Sequence, residues 1–142
     1  MKRCETLGLK TIPGISKEKE WEVHMIEQQL GAYTDCAHED SWAAIAVPYN
    51  RHICHYGLDK FVRFAQKVWQ VDSNGKEKMQ VALAEIDKLS EFIKELSLPT
   101  TLRELGATEE MLPLIANSSV VLDGGYKKLT ADEILDILKK AF

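Results

Sequence analysis

Long apolar runs are missing from this chain of 142 residues, and so is any excess of positive charge. No apolar stretch approaches the length of a membrane span, and the N-terminus lacks the apolar core of a secretory signal. Eighteen basic side chains face 22 acidic ones for a net charge of −4, with no basic stripe interleaved with aromatics. That balance argues against nucleic acid as a partner. Cysteine is sparse: Cys4, Cys36 and Cys54 are odd in number and lack metal-pair spacing. A reduced, cytoplasmic setting is the expectation. There is no internal repeat, no low-complexity segment, no βαβ pattern and no dinucleotide-binding glycine fingerprint. Gly124-Gly125 is no phosphate loop, because neither the lysine-serine pair nor the strand-turn-helix frame is there.

What is present is helical patterning. Hydrophobic residues make up 45% of the chain, enough for one ordinary domain with a core. Residues 1–15 carry little pattern, with Pro13-Gly14 as a turn signal, and are expected to form a partly ordered N-terminal arm. The helical domain is expected over 16–142, with Ser16 able to cap its first helix. Trp21, His24, Met25, Gln28 and Ala32 recur at spacings of three and four, which predicts a shared helix face. Trp42 to Val47 reads as a small-residue helix, with Pro48 inside it or ending its first part. Gly57 is a break. Leu58, Phe61, Val62, Ala65, Val68 and Trp69 form an apolar stripe of core type. Asp72-Ser73-Asn74-Gly75 is a turn.

The longest amphipathic helix is expected from about Lys76 to Leu96, its lysines and glutamates on a solvated face. Pro99 stops it, and Thr101–Leu105 makes a short helical turn ending at Gly106. Thr108 is placed to cap a helix through Ile115, with Pro113 unsettling its second half. Val120–Leu122 is extended and Asp123–Gly125 a loop. Thr130 to Glu133 is a capping box opening the last helix. The sum is an all-α domain of six or seven helices.

Four histidines carry the chemical interest. His24 lies within the first helix and His38 follows fourteen positions later. Two imidazoles from different turns of chain can meet at one metal ion, or stand unlinked. Glu20, four residues before His24, is either a surface partner or a carboxylate that orients a metal-bound ring. Cys36 beside His38 reads as a buried thiol or a thin zinc pair. His52 and His55 read as a helix-end pair or a second metal pair.

The pattern W-x-x-H-x-I-E-x-x-L-x-A-x-x-D-x-x-H over Trp21–His38 resembles the metal-binding segment of the iron-containing alcohol dehydrogenases, most closely their butanol dehydrogenase branch. Leu98-Pro99-Thr100-Thr101-Leu102-Arg103-Glu104-Leu105-Gly106 and Gly124-Gly125-Tyr126-Lys127-Lys128-Leu129-Thr130 resemble the same family, in the same order. The resemblance runs from about Ile12 to Phe142. It implies the C-terminal helical bundle of the dehydroquinate synthase-like fold, without a Rossmann domain. It implies two metal ligands, His24 and His38, for iron or zinc.

It also implies that the other two ligands, and the domain that binds NAD(P)H, lie upstream of the matched region. The expectation is a metal half site, inactive alone, in an alcohol dehydrogenase fragment. The alternative is a self-associating scaffold or a subunit that pairs with a separate cofactor-binding chain. Glu20, Asp35, Glu39 or a second chain are candidates to complete the ligand set. Two positions depart from the family pattern: Gln28 stands where a third histidine is usual, and Glu39 where glycine is usual. Glutamine cannot relay a proton near neutral pH.

Overall fold

The computed structural model describes residues 20–142, so the N-terminal arm over 1–15 and the Ser16 cap lie outside the described residues. Six α-helices and one short 3-10 turn follow, with no strand among the described residues. They are α1 (Glu22–Thr34), α2 (His38–Ile53), α3 (Leu58–Lys67) and α4 (Lys78–Glu95), then the turn Arg103–Leu105, α5 (Met111–Ser118) and α6 (Ala131–Ala141). The all-α expectation holds. No helix among the described residues is long and apolar enough to cross a membrane.

Helix α2 is the hub. It packs on α1, α4 and α6, while α1 also meets α5, α3 meets α4, and α5 meets α6. Its sequence explains the role: Ala43, Ala44 and Ala46 are buried and short, so neighbouring helices approach closely. Ala43 and Ala46 pack with Ile93 of α4 in one cluster, while Ala44, Ile45, Tyr49 and Ile53 join the main core. That core takes Ile26 and Leu30 from α1 and Ile134, Ile137 and Leu138 from α6, all inaccessible to solvent. Each such side chain contributes about 1.5–3 kcal/mol by burial. The helix runs through Pro48 to Ile53. Proline removes one intrahelical hydrogen bond there, and packing of Ile45, Tyr49 and Ile53 offsets the loss.

Several expectations need correction. The core face of α1 is Ile26 and Leu30, with Val23 packed against them, and not the stripe through Trp21, Met25, Gln28 and Ala32. Gln28 and Ala32 are exposed. Trp21, His24 and Gln28 do share one side of α1, with Trp21 and Gln28 both against the His24 ring. In the α3 stripe, Phe61 and Ala65 are buried, but the helix ends at Lys67, which leaves Val68 52% exposed. On α4 the acidic face is not wholly solvated, since Glu85 is only 4% exposed. Helix α5 begins at Met111, later than Thr108, and continues to Ser118. Pro113 therefore falls in its first turn, where backbone N–H groups have no intrahelical partner and proline is tolerated.

Other punctuation follows the residues. Gly106 adopts φ 80° after the 3-10 turn, and Gly75 adopts φ 68° in the turn before α4. The α6 capping box forms, with Thr130 and Glu133 exchanging side chain-to-backbone hydrogen bonds.

Candidate metal centre

Helices α1 and α2 are joined by a three-residue link and pack together, and that connection sets the site. Asp35 takes the left-handed conformation at φ 54°, donating its N–H to the Gly31 carbonyl at 2.8 Å. Ala37 is extended, and His38 is the first residue of α2. Three residues thus reverse the chain and bring the start of α2 beside the middle of α1. The glycine in α1 does not end it; Asp35 does, and its short polar side chain tolerates that backbone region.

The two imidazoles meet. Their ring centroids are 5.2 Å apart with planes at 81°. Between them lies a residue that the sequence reading passed over. Glu27 Oε1 is 3.0 Å from His24 Nδ1 and 2.8 Å from His38 Nδ1. Glu27 is 2% exposed, against 31% and 59% for the side chains of His24 and His38. Its second oxygen accepts a hydrogen bond from Ser41 Oγ at 2.9 Å. Ser41 is itself fully buried on α2. Gln28 Nε2 lies 2.9 Å from His24 Nε2. Trp21 stacks edge-on against His24, centroids 5.5 Å apart.

Glu27, not Glu20, is therefore the carboxylate beside the histidines. It sits one turn after His24, at a spacing that puts both on one side of the helix. Glu20 faces elsewhere: it accepts from the Tyr49 hydroxyl at 2.7 Å and from the Tyr126 backbone N–H at 2.9 Å. Asp35 and Glu39 are exposed and stand outside the cluster. Cys36 is half-buried and also outside it. His52 and His55 do not pair. His52 Nε2 is 3.6 Å from Glu133 Oε1, while the His55 ring lies against Tyr56.

Among the described residues, His24, Glu27 and His38 are the one group whose donor atoms lie within 4.8 Å of one another and suit a metal ion. Two imidazoles and a carboxylate are the donor types that iron(II) and zinc take. Glu27 Oε1 is sealed from solvent, and no well-aligned hydrogen bond reaches it. The residues present fit a divalent cation.

Comparison with known proteins agrees with the fold. The model of the Fe-containing alcohol dehydrogenase family, C-terminal, matches residues 9–142. NADH-dependent butanol dehydrogenase B of Clostridium acetobutylicum is 32% identical over 97% of this chain, and that alignment covers 37% of the relative. NADH-dependent butanol dehydrogenase A of the same organism is 29% identical over 98% of the chain, again covering 37% of the relative. Among solved structures, 1,3-propanediol oxidoreductase superposes with a TM-score of 0.78 at 23% identity, over 85% of this chain and 32% of that one. NADH-dependent butanol dehydrogenase A of Thermotoga maritima gives 0.75 at 24% identity, over 86% and 33%. The chain thus spans little more than a third of the curated relatives it matches. A helix pair carrying both histidines, the four further helices packed with it and a family match over nearly the whole length converge: the chain belongs to the Fe-containing alcohol dehydrogenase family, matching its C-terminal domain.

Proposed function

We propose that this chain is the helical, metal-holding part of an NAD(P)H-linked alcohol or aldehyde oxidoreductase, with His24 and His38 as ligands to iron or zinc. The observation that carries the reading is the convergence of the two rings on one buried carboxylate. When bound, such an ion supplies Lewis-acid polarisation of the alcohol or aldehyde oxygen. The chain's own groups do the holding: α1 presents His24, the first residue of α2 presents His38, and Trp21 limits the freedom of the His24 ring. Gln28 can hydrogen-bond at the site but cannot carry a proton away from it.

Two imidazoles are fewer than the three protein ligands of an ordinary catalytic site. The nicotinamide site and the remaining donors would come from polypeptide outside these 142 residues, as part of a longer chain or as a separate subunit. The second arrangement has an apolar surface to offer. Phe64, Trp69 and Phe92 make a run of ring contacts, and Phe64 and Phe92 are 45% and 43% exposed. A patch of this kind suits contact with another polypeptide.

Elemental analysis of the purified chain beside a His38→Ala variant tests the site. Iron or zinc in the wild type and its loss in the variant support the reading; equal metal content in both refutes it. Assay of butanal reduction with NADH or NADPH and added metal tests the dependence on other polypeptide. Steady turnover by the 142-residue chain alone would refute that part.

A further inference from the structure

We infer that Glu27 is a positioning residue: its buried carboxylate keeps the hydrogen of both imidazoles on Nδ1 and so turns both Nε2 lone pairs toward the open side. The consequence for metal binding rests on the ligand reading above, but the assignment of the hydrogens does not. The contacts come first. Nδ1 of His24 and Nδ1 of His38 both lie within 3.0 Å of the same oxygen. Two lone pairs at that separation repel, so a hydrogen belongs on each nitrogen. Neither N–H is well aligned with Oε1, which makes these close polar contacts weaker than ideal hydrogen bonds.

Burial gives the direction. Oε1 is sealed from solvent, whereas His24 is about a third exposed and His38 more than half. An ion arriving from outside meets the far edges of the rings before it can reach the carboxylate. Gln28 fits the same arrangement. The Gln28 side-chain amide stands 2.9 Å from His24 Nε2 and can donate to that nitrogen when its hydrogen is on Nδ1. Ser41 Oγ lies 2.9 Å from Oε2 and 2.8 Å from the His38 carbonyl, so its single hydrogen is shared between steadying the carboxylate and the first turn of α2. An imidazole whose inner N–H rests on a carboxylate has its tautomer and orientation set before metal arrives.

The test uses the full chain with 15N-labelled histidine, free of metal, at alkaline pH where imidazoles are neutral. Long-range 1H–15N spectra are expected to show His24 and His38 both as Nδ1–H. Both rings as Nε2–H in the wild type would overturn the inference, and that measurement needs no variant. Glu27→Met removes the acceptor at similar volume; the Nδ1–H state should be lost and zinc affinity should fall about 10–100-fold. Retention of both the Nδ1–H state and the affinity in that variant would also overturn it. With 113Cd bound, coupling to 15N is expected at Nε2 of both rings; coupling at Nδ1 would refute the proposal and make Glu27 a neighbour within the ligand shell. Wild-type Nδ1–H rings without zinc or cadmium binding would reject the metal reading and leave the tautomer assignment standing.

Discussion

Tyr49 and Glu20 join the hub helix to the segment that leads into α1: the phenol of one donates to the carboxylate of the other at 2.7 Å. Tyr49 is 1% exposed, and burial beside that carboxylate pushes its own ionisation far up, so it stays a neutral donor. The other oxygen of Glu20 holds the Tyr126 backbone N–H, so one side chain binds α2 and the 119–129 segment together. Tyr49→Phe should cost about 1.5–3 kcal/mol in urea unfolding, the range for a hydrogen bond to a charged acceptor. An unchanged midpoint would mean that water replaces the phenol at no cost.

Glu133 gives a pH dependence of known sign. Lys127 beside it, with the Thr130 backbone N–H, holds its carboxyl down at about 2, below the ordinary 4.5. A depressed carboxylate adds stability that is fully present above the unfolded value. It is lost as pH falls from about 4.5 through about 2. With about a quarter of the side chain exposed, screening keeps the contribution to about 0.5–1 kcal/mol. Glu133→Gln keeps the capping geometry and should flatten the stability profile across that window, read by urea titrations at several pH values.

Glu85 should behave in the opposite way. Burial raises its carboxyl above 4.5, with only the Trp69 indole N–H opposing, and Oε2 has no hydrogen-bond partner. The folded state then holds the proton more tightly than the unfolded one. Stability is penalised as pH climbs above 4.5 and is unaffected below it. Glu85→Gln is expected to raise Tm by about 2–4 °C at neutral pH and to leave it unchanged in acid.

Gly57 sets a steric limit. A methyl group on it would stand 2.3 Å from the Tyr126 ring, which packs against Phe61 with centroids 5.9 Å apart. Gly57→Ala should destabilise by about 1–3 kcal/mol. Adding Tyr126→Ala should recover part of that loss, giving a coupling energy in a double-mutant cycle. Simple additivity of the two losses would contradict the contact.

The fold was legible where apolar residues recur at helical spacing and where caps are strong. The α4 stripe, the Thr130–Glu133 box and the Gly106 stop all stand where the residues put them. The start of α5 was not, because Thr108 looks like a cap while the Pro113 ring is compatible with a first turn as well as a break. At the site, the interval of fourteen left His24 and His38 linked or unlinked, and it was the family resemblance of Trp21–His38 that paired them; the structure brings the two rings together. Glu27 was not legible. A glutamate next to Ile26 on an amphipathic helix reads as surface, and only the crossing of α2 over it makes it buried. Its spacing of three from His24 was the signal available. Ser41 shows the same limit, since a serine in the first turn of a helix is ordinarily a capping residue and not a prop for a carboxylate fourteen positions back.

The short link through Asp35 has one more implication. The link holds the two rings edge to face, 5.2 Å apart, so the expectation is a scaffold that folds before it takes an ion. A chelator should strip any bound metal and leave the helical circular dichroism intact, while the melting midpoint falls by the stabilisation the bound ion had added. Capture of an ion would then cost little ordering. One extra residue spliced between Thr34 and His38 should abolish capture while leaving the helices as they were.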